Sequence, residues 1–91
     1  MSSYSKARGE IINRLKRIEG QVRGLQRMVN EEKYCIDILT QISSVLAATE
    51  KVALILLDDH IRGCVQNSLK HGRGEETVDE LVETISRYVR R

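Results

Sequence analysis

The chain has 91 residues, 41% hydrophobic and 31% charged, with a net charge of +2 and no proline, tryptophan or phenylalanine. This length predicts one small domain, residues 1–91, whose aliphatic core is too small to be stable alone, and it therefore predicts an oligomer. The polar start and the lack of any run of about 18–20 consecutive apolar residues predict no signal peptide, no membrane span and a cytoplasmic protein with reduced cysteines.

The first predicted element is a helix over residues 6–30, which follows a polar lead-in with Ser5 as its candidate N-cap. The same stretch is basic, since residues 1–30 carry seven Lys or Arg against two Glu, a local charge of +5. Such a bias indicates a polyanionic partner or, equally, a solvated helix face. Apolar residues recur in this helix at steps of four and three: Ile11, Leu15, Ile18, Val22, Leu25 and Val29.

The second predicted helix covers residues 33–70 and follows a polar break in which Asn30 can take the left-handed conformation of a helix end. Further apolar residues, such as Ile38, Val45 and Val52, lie off its main stripe, so this helix is expected to be buried on several sides. The main stripe again steps by four and three: Cys35, Leu39, Ile42, Leu46, Thr49, Ala53, Leu56 and His60.

The third predicted helix opens at Glu75-Glu76, where acidic residues suit the positive end of the helix dipole. It follows the break His71-Gly72-Arg73-Gly74, in which His71 is interpreted as a helix cap rather than as a metal ligand. Arg87, Arg90 and Arg91 close it. The predicted fold is all-α, three helices with a long central one.

Three soft metal ligands lie at the two ends of the second helix. His60 and Cys64 are four residues apart, so they share a helix face and can bind one ion. Cys35 lies 25 residues before His60, on nearly the same face but about 37 Å away along the axis. An antiparallel copy of the helix, crossing near residues 48–49, would bring Cys35 of one chain to the other two ligands of its partner, twice by symmetry. The alternative is that both cysteines are ordinary buried thiols.

The donor set indicates the kind of metal. Two thiolates and one imidazole suit Cu(I) in a trigonal site or Zn(II) with a fourth ligand, and the lack of an obvious fourth donor favours Cu(I). A helical scaffold in which zinc joins a dimer stays open as an alternative. An enzyme with Cys/His nucleophilic chemistry is disfavoured, because a ligand pair inside a continuous helix offers neither an oriented base nor an oxyanion hole.

With these motifs the chain resembles the copper-sensing repressor family (CsoR-like) and its nickel/cobalt-, formaldehyde- and persulfide-responding relatives. His60 distinguishes it from the persulfide sensors, Cys64 from the formaldehyde sensors, and Ser2-Ser3 from the nickel/cobalt relatives, which use an N-terminal histidine. The resemblance covers nearly the whole chain and is carried by these segments: residues 13–24 of the first helix, then Tyr34-Cys35, residues 41–45 and residues 60–64 of the sensing helix.

The resemblance implies a tetramer, a dimer of dimers, whose apo form represses transcription by binding operator DNA. Cu(I) bound by Cys35 of one chain and by His60 and Cys64 of its partner would release the DNA and derepress copper-resistance genes. Tyr34 and Glu80 would support these ligands. The alternative is a thiol- or persulfide-responsive repressor that uses the two cysteines. For contacts to DNA, the resemblance carries over Arg14 and Lys51, and composition adds Lys6, Arg8, Lys16, Arg17 and Arg23.

Overall fold

The computed structural model describes residues 7–89, and over this range the chain forms three helices and no strand. Helix α1 spans Arg8–Asn30, helix α2 spans Cys35–Lys70 and helix α3 spans Gly74–Val89. The all-α prediction with a long central helix is confirmed. Several residues that carried sequence predictions lie outside the described range: Ser2, Ser3, Ser5, Lys6, Arg90 and Arg91.

The turn between α1 and α2 differs from its prediction. Asn30 is the last residue of α1, and the left-handed residue is Glu32, with φ 54°. The N–H of Glu32 donates to Val29 at 3.1 Å and the N–H of Lys33 donates to Met28 at 3.0 Å, which are the two bonds of a Schellman helix end. The prediction for Asn30 is therefore wrong, because the helix continues through it and the reversal falls two residues later.

The turn between α2 and α3 is built in the same way around a glycine. Gly72 has φ 73°, and its N–H and that of Arg73 donate to Leu69 and Ser68 at 3.3 and 2.8 Å. His71 precedes it as the C-cap residue, which agrees with the interpretation of this histidine as a cap.

We expect Gly72→Ala to lower the free energy of unfolding by about 1–2 kcal/mol, because a Cβ is strained in the left-handed region. Gly24→Ala is the matched control: a Cβ at Gly24 meets nothing within 4 Å, so this change is expected to raise stability by about 0.5–1 kcal/mol. Thermal unfolding of both variants measures the two shifts. Equal shifts in the same direction would contradict the role of the left-handed turn.

Helices α1 and α2 pack along a line that we call the inner seam. Its members are those buried or half-buried residues of the two helices that lie on one face of each helix, and on α1 they recur at steps of three and four. Ile11 and Val52 are its fully buried members. The inner seam consists of these residues: Ile11, Arg14, Ile18, Gln21, Leu25 and Met28 from α1, with Ile38, Val45, Ala48, Val52, Ile55 and Asp59 from α2.

The stripe predicted from sequence to be the main apolar face of α2, which we call the outer stripe, lies largely in the open. Leu39 is 56% exposed and Leu46 is 52% exposed. On α1, Leu15 is 43% exposed, although the sequence placed it in the core. The expectation that α2 is buried on several sides is therefore wrong for the single chain, because α1 covers only one of its faces.

The shape of the described chain explains this exposure. It measures 56 × 29 × 13 Å, and a thickness of 13 Å is close to that of a single helix. The radius of gyration is 17.3 Å, whereas a compact chain of this length would have about 12 Å. The three helices thus form one layer, and no helix is covered from above or below by another part of the described chain.

Helix α2 is also long and apolar enough, by length and composition alone, to cross a membrane. An 18-residue window in it has a mean hydropathy of 1.4, and 6% of that window is buried. This qualifies the sequence prediction of no membrane span, which considered only uninterrupted apolar runs. A soluble helix with apolar residues on two faces meets the same criterion, so the observation does not distinguish a lipid contact from a protein contact.

Candidate metal centre and nucleic-acid interface

Cys35 stands at the start of α2 and is accessible. It is the first helical residue and an exposed free thiol. Tyr34, directly before it, is the N-cap residue, with its backbone in the extended region. The carbonyl oxygen of Tyr34 accepts the N–H groups of Asp37 and Ile38 at 3.0 and 3.2 Å. These bonds hold the first turn of α2 in place and so orient the thiol.

His60 and Cys64 lie in a π-helical segment of α2, His60–Val65. The sequence had predicted a continuous α-helix here, and that prediction is wrong. A π-helix closes i→i+5 hydrogen bonds and is wider than an α-helix, and Gly63 within it lowers the preference for the α form. Four residues then make slightly less than one turn, so the two candidate ligands still lie on the same side of the helix. Such wide turns frequently mark functional sites.

An ion pair spans the start of the wide turn. The Nε of Arg62 donates to both carboxylate oxygens of Asp58, at 3.0 and 3.1 Å. Both side chains are largely exposed, so the pair contributes only modestly to stability.

Helix α3 brings Glu80 next to His60. The Nε2 of His60 lies 3.8 Å from Oε1 of Glu80, which is longer than a hydrogen bond but within ion-pair distance. The two residues lie on the wall of a groove of about 510 Å³ between α2 and α3, lined mostly by apolar side chains that include Leu57 and Ile85. The contact leaves Nδ1 of the His60 ring for another partner.

No three side chains of His, Cys, Asp or Glu meet within the described part of one chain in a way that could hold a metal ion. The reason is the straight α-helical stretch Cys35–Asp59, which separates Cys35 from His60 by about 37 Å at 1.5 Å per residue. The structure thus brings Glu80 next to His60 at one end of the layer, with Cys64 one turn later on α2, and leaves Tyr34 with Cys35 at the other end.

The basic residues divide into two groups. Arg8, Lys16, Arg17, Arg23 and Lys51 are exposed, and Arg23 lies 4.0 Å from Glu19. Their side chains can reach a polyanion.

Arg14 is different, and the sequence did not show why. It is not part of the apolar stripe read from the sequence of α1, but it occupies an inner-seam position, is half-buried and donates from Nε to Glu10 at 3.1 Å. An anion would have to compete with Glu10 for this guanidinium.

Two features of the site had no clear signal in the sequence. The wide turn at His60–Val65 could not be read from periodicity, because one π turn shifts the pattern by only one residue. Two polar members of the inner seam were visible only in the less apolar of two possible patterns: Gln21 in positions 11, 14, 18, 21, 25 and 28 of α1, and Asp59 in positions 38, 45, 52 and 59 of α2.

Comparison with known proteins gives a consistent result. The profile of the family described as "Metal-sensitive transcriptional repressor" matches residues 7–87. The copper-sensing transcriptional repressor CsoR of Bacillus subtilis (strain 168) is 51% identical over 86 residues, which cover 94% of this chain and 85% of that protein. The copper-sensing transcriptional repressor RicR of Mycobacterium tuberculosis is 45% identical over 89 residues, 96% of this chain and 93% of that protein.

Two solved structures are similar in fold. The copper-sensing repressor CsoR with Cu(I) from Geobacillus thermodenitrificans NG80-2 has a TM-score of 0.89 and 45% identity, with 93% of this chain and 88% of that chain covered. The nickel-responsive transcriptional regulator InrS has a TM-score of 0.77 and 38% identity, with 88% of this chain and 90% of that chain covered.

Proposed function

Because this chain belongs to the metal-sensitive transcriptional repressor family, we infer that it is a Cu(I)-responsive repressor. Its apo form binds operator DNA, and occupation of the metal site by Cu(I) releases that DNA and derepresses copper-resistance genes. The copper-sensing relatives at up to 51% identity support copper as the signal. Repressors of this family are not enzymes, and we propose no catalytic role for the Cys and His residues.

The observation that carries the proposal is the exposed outer stripe, which begins at the free thiol of Cys35 and ends at His60. Burying one Leu or Ile side chain contributes about 1.5–3 kcal/mol, so a row of exposed residues such as Leu39, Ile42 and Leu46 favours a second copy of the helix. An antiparallel copy places Cys35 beside His60 and Cys64 of the partner subunit. We therefore propose a dimer with two identical intersubunit sites and, by family resemblance, a dimer of dimers.

The three proposed ligands fit Cu(I) by their chemistry. Both cysteines are free thiols, and thiolate and imidazole are donors that soft Cu(I) prefers. When bound, Cu(I) supplies a soft cation that holds side chains from two subunits together. Nδ1 of His60 is the ring nitrogen available for it, because Nε2 faces Glu80 at 3.8 Å. A carboxylate on the far side of a ligating imidazole fixes the ring and strengthens the ligand.

The contact between His60 and Glu80 also connects the site to α3. Glu80 is on α3, and its carboxylate is within ion-pair distance of the His60 ring. A His60 ring that is drawn toward Cys35 of the partner subunit pulls on this carboxylate and therefore on α3. We propose that the resulting shift of helices changes the spacing of the basic residues, which no longer match the phosphates of the operator.

The basic residues of α1, with Lys51 of α2, form the proposed DNA surface, and each phosphate that they neutralise adds salt dependence. We expect Arg17→Ala to reduce the slope of log K against log salt by about 0.9 for each phosphate that the variant no longer neutralises. Arg87→Ala is the matched control: Arg87 is an exposed arginine on α3 that pairs with Glu83 at 3.9 Å, and its slope should equal that of the parent. If Arg17→Ala keeps the parental slope of log K against log salt, Arg17 does not belong to the DNA surface.

The test of the function is an anaerobic Cu(I) titration of the protein bound to an operator that the apo protein has selected from random duplexes. We expect release with one Cu(I) per subunit. Unchanged DNA affinity at saturating Cu(I) would refute the proposal. Release by persulfide without metal would instead support the thiol-responsive alternative, and release by Ni(II) would assign the chain to the nickel-responsive relatives. A protein that binds bacterial operator DNA in this way acts in the cytoplasm.

A further inference from the structure

Two polar atoms of the described residues are buried without a hydrogen-bond partner, and both belong to the inner seam. They are Oε1 of Gln21, in the middle of α1, and Oδ2 of Asp59, at the end of the α-helical part of α2. Buried polar groups in proteins are nearly always hydrogen-bonded. Each of these two unpaired atoms, which we call orphans, therefore makes the packing of α1 on α2 less favourable than an apolar residue of the same shape would.

At Gln21 the unpaired atom is the amide oxygen Oε1. Exchange of Oε1 and Nε2 would place an NH₂ group in the same buried position, where it would need an acceptor instead of a donor. Its neighbours one turn away in the inner seam are Ile18 and Leu25, which offer no hydrogen bond.

The inner seam is also the route between the two proposed sites. Within the described chain α1 packs only on the α-helical stretch Cys35–Asp59, whereas α3 packs on the later part of α2. Asp59 is the last residue of that stretch and directly precedes His60. A movement at the metal end of α2 can therefore reach the basic residues of α1 within one chain only across this seam.

We propose that Gln21 and Asp59 keep the inner seam below its maximal stability, so that α1 can shift along α2 when the metal site is occupied. A seam packed only by apolar residues would have one deep minimum. A seam with orphaned polar groups has a second arrangement close in free energy, in which the amide and the carboxylate gain partners. Gln21 and Asp59 are thus positioning residues of the switch. The inference rests on the proposed function.

The experiment compares Gln21→Met with Gln66→Met, a matched change at an exposed glutamine outside the seam. The thermal midpoint of the apo protein, its Cu(I) affinity without DNA, and the ratio of operator affinities without and with Cu(I) are measured for each. We expect Gln21→Met to raise the midpoint by about 4–8 °C and to reduce the ratio at least about fivefold. Because the seam shift accompanies metal occupation, its Cu(I) affinity without DNA falls by about the same factor as the ratio, and Gln66→Met resembles the parent in all three quantities.

Each other outcome overturns the inference. If Gln21→Met raises the thermal midpoint but keeps the parental ratio of operator affinities, the unpaired amide affects stability only. If the variant lowers the midpoint, the amide is hydrogen-bonded in the assembled protein. A reduced ratio in both variants shows an effect that is not specific to the seam. If the unsubstituted protein itself is not released by Cu(I), the proposed function fails and the inference fails with it. If Cu(I) releases the unsubstituted protein from the operator and Gln21→Met keeps the parental ratio of operator affinities, the inference fails and the proposed function stands.

Discussion

Replacement of His60 by alanine is expected to abolish the Cu(I)-dependent release of operator DNA, while the apo protein keeps its affinity for that DNA. The change removes one of three proposed ligands and, with it, the approach to Glu80 at 3.8 Å. Coupling between two sites in one protein amounts typically to about 1–3 kcal/mol, or about 5- to 150-fold in affinity. We expect this factor to fall to about 1 in His60→Ala, as measured by fluorescence anisotropy of labelled operator at saturating Cu(I).

The control for this experiment is His71→Ala, because these are the only two histidines of the chain. The Nδ1 of His71 donates to the carbonyl oxygen of Asn67 at 2.8 Å, so the ring caps the end of α2. Loss of this cap is expected to cost about 0.5–1.5 kcal/mol of stability and to leave the copper response intact. A His60→Ala protein that still leaves the operator when Cu(I) is added would exclude His60 as the ligand that links the metal to release.

A second large effect is expected from mixed dimers. Cys35→Ser alone, and His60→Ala/Cys64→Ser alone, should each bind no Cu(I) at the proposed sites. A heterodimer of the two variants should bind one Cu(I), half the parental number. In this heterodimer Cys35 of the doubly substituted subunit meets His60 and Cys64 of the other, so one of the two symmetric sites is complete. The physical reason is the rigid distance of about 37 Å between the two ends of the helix in any one chain.

The measurement is an anaerobic Cu(I) titration of heterodimers purified by two different affinity tags after coexpression. The homodimers of each variant, purified in parallel, are the controls. If the heterodimer binds no Cu(I), either the three ligands of a site come from the same subunit or one of the three residues is not a ligand. Full parental stoichiometry for Cys35→Ser alone would show that Cys35 is not required.

Much of the local structure follows from the sequence. Two polar breaks, the second of which contains Gly72, divide the chain into its three helices. The helix boundaries differ from the predicted ones by about two residues. The spacing of Cys35, His60 and Cys64 is enough to argue for a second subunit, because a helix converts residue number directly into distance. Hydrogen bonds between residues close in sequence form the helices and end them, so these features can be predicted from the sequence.

The choice of packing face was decided only by the tertiary structure. Helix α2 has two apolar faces, and periodicity cannot tell which of them is turned to α1. The structure assigns Val45 and Val52 to the inner seam and leaves Leu39 and Leu46 in the open.

The same reason explains Arg14 and Gln21, which a helical wheel places beside the apolar stripe but which face α2. Burial depends on contacts between residues far apart in sequence, so it emerges only when the two helices are packed together. The wide turn at His60–Val65 and the approach of Glu80 to His60 likewise required coordinates. The sequence by itself determined the helices and the distance between the candidate metal ligands. The tertiary structure decided which faces meet, because several packings of these two-faced helices satisfy the same local rules.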